Sequence, residues 1–204
     1  MEPEAFLVRI IDPGLRVLRD LGGPSITELA RQYMLAIALQ ESGPSLRARY
    51  QHSPAATPGP ARGHWQFEQG GGVAGVLTHA ACRTLANLLC DYCVVVPAQA
   101  AVWRALEGHN DLAVGFARLL LWSDPRALVA TEAGAWEYYL RNWRPGKPHP
   151  AVWPGNWRRA ATAVRAADIV EAAEDDEVHA ADQTIMDRLD RIEAKLARLL
   201  GDED

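Results

Sequence analysis

The sequence predicts a mainly helical protein that ends in a helical, heptad-patterned extension. Two observations carry the main body. Apolar residues return at intervals of three and four over most of the chain, and no stretch alternates convincingly as a strand does. A third observation fixes the extension: from Trp157 to Leu200 the sequence holds neither glycine nor proline, so no residue in it breaks a helix.

The elements follow in order. Residues 5–21 mix apolar and charged side chains around Asp12-Pro13-Gly14. Pro13 to Leu21 is expected to form a short helix with Leu15, Leu18 and Leu21 on its apolar edge, ended by Gly22-Gly23-Pro24. Ser25-Ile26-Thr27-Glu28 reads as a capping box, with Ser25 as N-cap and Glu28 reaching back from the third helical position. Behind it Ile26, Ala30, Tyr33, Met34, Ile37 and Ala38 repeat at helical spacing, and Gly43-Pro44 stops the helix. Residues 44–72, with Pro54, Pro58 and Pro60, predict an irregular connection. Helical patterns return at about 76–93, 97–107, 110–122 and 132–142. Residues 141–159 read as a proline-punctuated loop containing Trp143, Trp153 and Trp157. At the end Ile185, Leu189, Ile192, Leu196 and Leu199 are spaced 4-3-4-3, a coiled-coil seam about two heptads long. So short a helix is marginal alone, which predicts self-association or docking to a partner protein through residues 183–200. The expected organisation is an N-terminal arm over 1–24, a main domain over 25–165, an acidic helical linker over 166–182 and a short coiled coil over 183–204.

Charge divides unevenly along the chain. Residues 1–165 carry 17 Lys and Arg against 13 Asp and Glu, whereas residues 166–204 carry 4 against 13. A mildly basic body suits an anionic polymer such as a cell wall; with no nucleic-acid motif and no dense basic cluster, nucleic acid is not expected as a partner. No run approaches the ~18 uninterrupted apolar residues of a membrane span. Glu2 and Glu4 stand where a secretory signal would be basic, so synthesis without a signal peptide is expected. The three cysteines are an odd number, which excludes a full disulfide framework. His79, Cys82, Cys90 and Cys93 resemble zinc-ligand spacing. The intervening residues read as helix, however, with 79, 82, 86, 89 and 93 on one face, so buried, reduced cysteines are expected. No metal or cofactor is called for.

Glu41 is the anomaly. It sits in the last turn of the Ser25 helix, in register with Ala30, Met34 and Ile37. A helix C-terminus disfavours negative charge, and burial against apolar groups raises a carboxyl pKa. A glycosidase proton donor needs that property. The bland reading is a helix-end carboxylate paired with Arg47 or Arg49. Downstream lies Gly63-His64-Trp65-Gln66-Phe67-Glu68, followed by three glycines. Glu68 reads as a second carboxylate or as a solvated loop residue. Trp143, Trp153 and Trp157 either stack on sugar rings or anchor their loop to the core.

Ala36-Ile37-Ala38-Leu39-Gln40-Glu41-Ser42-Gly43 resembles the first motif of soluble lytic transglycosylases and goose-type lysozymes. Ala61-Arg62-Gly63-His64-Trp65-Gln66-Phe67 resembles their second. The combination is similar to lysozyme-like proteins of tailed bacteriophages, and it covers residues 25–70. The resemblance implies a lysozyme-like fold, with Glu41 as catalytic acid, Ser42 orienting it, and Gly63, Trp65, Gln66, Phe67 and Glu68 at the sugar cleft. A third family motif, a tyrosine-asparagine pair on a later helix, has no clear match. Phe116 within Ala113–Ala117 occupies its place, or Tyr138 or Tyr139 supplies the phenol. The implied substrate is the β-1,4 bond between N-acetylmuramic acid and N-acetylglucosamine in peptidoglycan glycan strands. The implied setting is a phage protein made in the host cytoplasm and carried on the virion. The alternative is a structural virion or assembly protein whose lysozyme-like domain is weakly active or inactive.

Overall fold

Two helices buried on almost every side organise residues 1–164. The computed structural model describes residues 1–46 and 59–201, with side chains described throughout these except at 171–182, 184 and 194–201. The described residues are mainly helical. In chain order the elements are α1 (Pro3–Phe6), a π-helical turn (Leu7–Ile11), α2 (Asp12–Asp20), α3 (Glu28–Ser42), strands β1 (Ala61–Arg62) and β2 (Phe67–Glu68), a second π-helical turn (Gln69–Val73), α4 (Ala74–Thr78), α5 (Arg83–Tyr92), α6 (Gln99–Ala105), α7 (Asn110–Ser123), α8 (Glu132–Trp143) and α9 (Trp153–Gly201). The chain divides into two units, Met1–Val164 and a second beginning at Arg165.

In the first unit α3 buries Tyr33 through Leu39 without a gap, and α7 buries Leu112 through Leu119. Helices apolar on all faces belong in a core. The N-terminal segment is more helical than the short helix expected from Pro13. Helical geometry runs from Pro3 to Asp20, and Phe6, Leu7, Ile11, Leu15 and Leu18 are buried. Pro13 falls directly after the π-helical turn, where the hydrogen-bond ladder changes register and can do without one donor. Gly14 lets α2 lie directly on α7: a Cβ there would stand 2.6 Å from the Cβ of Val114. Asp12 and Arg31 form a buried two-point ion pair, Nε to Oδ1 and Nη2 to Oδ2 each at 2.8 Å, tying α2 to α3.

The helix start also differs from expectation. Thr27, in extended backbone, is the N-cap of α3, and its hydroxyl accepts from the Ala30 amide at 3.1 Å. Ser25 lies two residues too early, and Glu28 becomes the first helical residue, where its charge suits the helix N-terminus. The expected helix at 76–93 is two helices, because His79–Cys82 turns between α4 and α5. A two-stranded antiparallel hairpin pairs Ala61 with Glu68 and Arg62 with Phe67. Two residues per strand give alternation nothing to register. The connection expected over 44–72 lies partly outside the described residues, as do Arg47 and Arg49.

The second unit consists, among the described residues, of α9 from Arg165 onward, so the expected linker and coiled-coil segments share one helix. Ile185, Leu189 and Ile192 are exposed on it; the side chains of Leu196 and Leu199 lie outside the described ones. Among the described residues no single helix is long and apolar enough to cross a membrane.

Candidate active site

The site is built where α3 ends against α8. Gly43, at φ 76°, closes α3 one residue beyond Ser42 and holds Glu41 in the last turn. Apolar spacing carries the Glu41 side chain inward, leaving it only partly exposed. There the Tyr139 hydroxyl of α8 donates to Glu41 Oε1 at 2.6 Å. Burial pushes the Glu41 carboxyl up to about 7 and the Tyr139 bond pulls it part of the way back, because desolvation penalises the charged form while a donor favours it. Tyr139 is held well above the ordinary phenol range by burial, then by the neighbouring Glu41 charge and their shared hydrogen bond. The pair therefore presents a carboxylic acid poised between its two states near neutrality, beside a phenol that keeps its proton.

Aromatic packing fixes the phenol. Tyr139 stacks on Trp153 with centroids 5.3 Å apart and planes 15° from parallel, and Trp136 packs tilted at 5.3 Å. Trp153 is anchored by its indole donating to the Glu132 carbonyl at 3.1 Å. A chain of two further indoles fixes the hairpin. Trp65 donates to the Met34 carbonyl of α3 at 2.9 Å, and Trp143 donates to the Trp65 carbonyl at 3.0 Å. Gln40, next to Glu41, accepts from the Asn156 amide and donates to the His149 carbonyl, both at 3.0 Å. The loop after α8 is thereby tied to the end of α3.

The expected site residues part company here. Glu41 and Tyr139 meet. Ser42 does not hold Glu41 through its hydroxyl, which donates to the His64 carbonyl and fastens the hairpin to α3. Trp65 is fully buried and belongs to the core rather than to a cleft wall. Gly63 is buried at φ 73°, and a Cβ on it would stand 2.8 Å from the Leu106 carbonyl oxygen, so the turn admits only glycine there without strain. Gln66, at φ 50°, donates to the Gly63 carbonyl at 2.9 Å and shapes the hairpin turn. Phe67 is buried edge-on to Trp143. Tyr138 is buried on another side of α8, its hydroxyl donating to the Leu121 carbonyl at 2.7 Å, and Phe116 is a core residue of α7. Trp153 and Trp157 are buried as well and anchor rather than display their rings.

The chain matches no family model, no curated protein and no solved structure with which it was compared.

Glu68 is exposed and lines a hollow of about 450 Å³ with Gly59, Pro60, Arg62, Gln69, Gly70 and Trp103. Glu41 is not part of that lining. The Arg62 guanidinium covers the Trp103 ring at 4.2 Å and reaches Glu107 at 3.4 Å. Among the described residues no three His, Cys, Asp or Glu side chains stand close enough together to hold a metal ion. Cys82, Cys90 and Cys93 are buried free thiols, pushed by burial to about 11, 11 and 12; His79 is exposed on the turn before α5. The neighbours of the Glu41–Tyr139 pair that the sequence reading missed are Gln40, Asn156 and Trp136. Gln40 alone had a signal, as a polar residue beside Glu41.

Proposed function

We propose that this chain cleaves the β-1,4 bond between N-acetylmuramic acid and N-acetylglucosamine in peptidoglycan, with Glu41 as general acid. The observation that carries the reading is a carboxyl group raised to about 7 by burial at a helix end and held at 2.6 Å by Tyr139. An acid with a pKa near the working pH is well matched to protonating a leaving oxygen. The resemblance of residues 36–43 and 61–67 to lytic transglycosylase motifs supports a glycan as the substrate.

In this mechanism the Glu41 proton passes to the glycosidic oxygen as the bond from that oxygen to the anomeric carbon breaks. The sugar's own 6-hydroxyl then attacks the anomeric carbon and returns its proton to the Glu41 carboxylate. One carboxyl thus serves as acid and then as base, and the product is a 1,6-anhydro sugar. Hydrolysis commonly employs a second carboxylate within about 10 Å. Glu68 is exposed and lines the Arg62–Trp103 hollow, whose lining does not include Glu41, and the single-carboxyl route needs no second carboxylate. Tyr139 positions the acid. In this reading the protein is a phage-encoded, virion-borne muralytic enzyme.

The test is clearing of purified cell walls followed by mass spectrometry of the fragments. Wild-type protein should clear them and release anhydro ends, one water lighter than hydrolysed ends. E41Q should fold and fail to clear. Walls left intact by the wild-type chain would instead support the structural virion role.

A further inference from the structure

We propose that the second unit assembles further copies of this chain into a parallel, in-register bundle of three or four helices, with Arg188 of one copy facing Glu193 of its neighbour. The inference stands on residues 183–193 alone and does not depend on the cleavage chemistry.

The heptad register is fixed by spacing. Four residues separate Ile185 from Leu189 and three separate Leu189 from Ile192. Only one assignment of the two core positions, a and d, fits: isoleucine at d in both heptads and leucine at a between them. These side chains are about half exposed on α9, at 54%, 48% and 55%. Met186, at the flanking e position, is 55% exposed and widens the apolar stripe beyond the narrow seam of a two-stranded coil. Leucine at a with isoleucine at d shifts preference from two strands to three or four, because the angle at which each side chain enters the core differs with strand number.

Charge then selects the partner and its direction. Arg188 falls at g and Glu193 at the following e, the two positions that meet between neighbours in a parallel bundle. Each copy therefore offers both halves of the pair to the next copy, and every interface closes with opposite charges. An antiparallel arrangement places Arg188 against Arg188 and Glu193 against Glu193. A parallel bundle of this chain satisfies its own flanks without any other protein.

Sedimentation equilibrium of the full chain over a range of concentrations tests this. The mass should rise with concentration to three or four chains. R188E and E193R should each weaken assembly at least roughly tenfold, since every pair in the bundle turns repulsive at once. Mixing the two single variants should restore assembly, completely in a four-helix bundle of alternating chains and at two of the three interfaces in a three-helix one, and the double variant R188E/E193R should assemble by itself. Both positions are exposed, and helicity by circular dichroism should be unchanged in the dissociated variants. If a single variant does lose helicity, rescue in the mixture still reports the pairing. A mass of one or two chains at every concentration overturns the proposal. Single variants that assemble like wild type, or a mixture that stays dissociated, overturn it too.

Discussion

Glu41 and Glu68 carry the same group, one in the last turn of α3 and one at the end of the hairpin that follows, yet the fold treats them in opposite ways. Glu41 ends a helix whose neighbours are apolar on every side, and a phenol is its hydrogen-bond partner. Glu68 ends a two-residue strand, faces solvent and borders a hollow that holds an arginine. In the first place most of the surrounding water is replaced by protein and the Tyr139 donor offsets only part of that loss, so the neutral acid persists toward pH 7. In the second, water and a cation are both at hand. The contrast teaches that a proton donor is made by the surroundings of a carboxyl, not by the carboxyl.

The largest effect that can break this comparison is on activity. E41Q should lower cell-wall cleavage by about 10³-fold, within the range general acids contribute, while E68Q leaves the rate and the anhydro product essentially unchanged. Equal losses in both variants, with a hydrated product, would make the carboxylates a working pair.

Stability against pH sharpens it next. The folded Glu41 carboxyl lies at about 7, above its ordinary value of 4.5. The native state therefore holds a proton that the unfolded chain releases. The resulting penalty is absent below the lower value, grows between the two, and is complete above pH 7. E41Q should match wild type in denaturant unfolding near pH 4 and exceed it by up to about 3 kcal/mol at pH 8.

Adjacent tyrosines give a third test. Y139F removes the donor that draws the Glu41 pKa down, so the alkaline limb of the rate profile should move to higher pH, with a rate loss of roughly tenfold for one hydrogen bond to a charged group. Y138F should cost about 1 kcal/mol of stability through its lost bond to Leu121 and leave the limb in place. The smallest effect is that of S42A. Losing the bond to the His64 carbonyl should cost about 1 kcal/mol with no movement of the limb, since Ser42 serves the hairpin rather than the acid.

The sequence by itself determined the helical class, the apolar spacing of Ala30, Tyr33, Met34, Ile37 and Ala38 in α3, its end at Gly43 and the anomaly of Glu41. All of these depend on neighbours within a few residues. The 4-3 spacing of Ile185, Leu189 and Ile192 is legible for the same reason. The tertiary structure alone decided which of two adjacent tyrosines meets Glu41. Neighbours on a helix point about 100° apart, and only the packing of α8 against α3 chooses between Tyr138 and Tyr139. It decided as well that Trp65 is core, because the Met34 carbonyl that receives its indole lies 31 residues away. Whether Ser25 or Thr27 caps α3 likewise turned on where extended backbone gives way to helix, which side-chain type alone leaves open. Spacing reads out what a residue shares with its own turn. What it meets across the core is set by how whole elements pack, and that carries no mark in the local sequence.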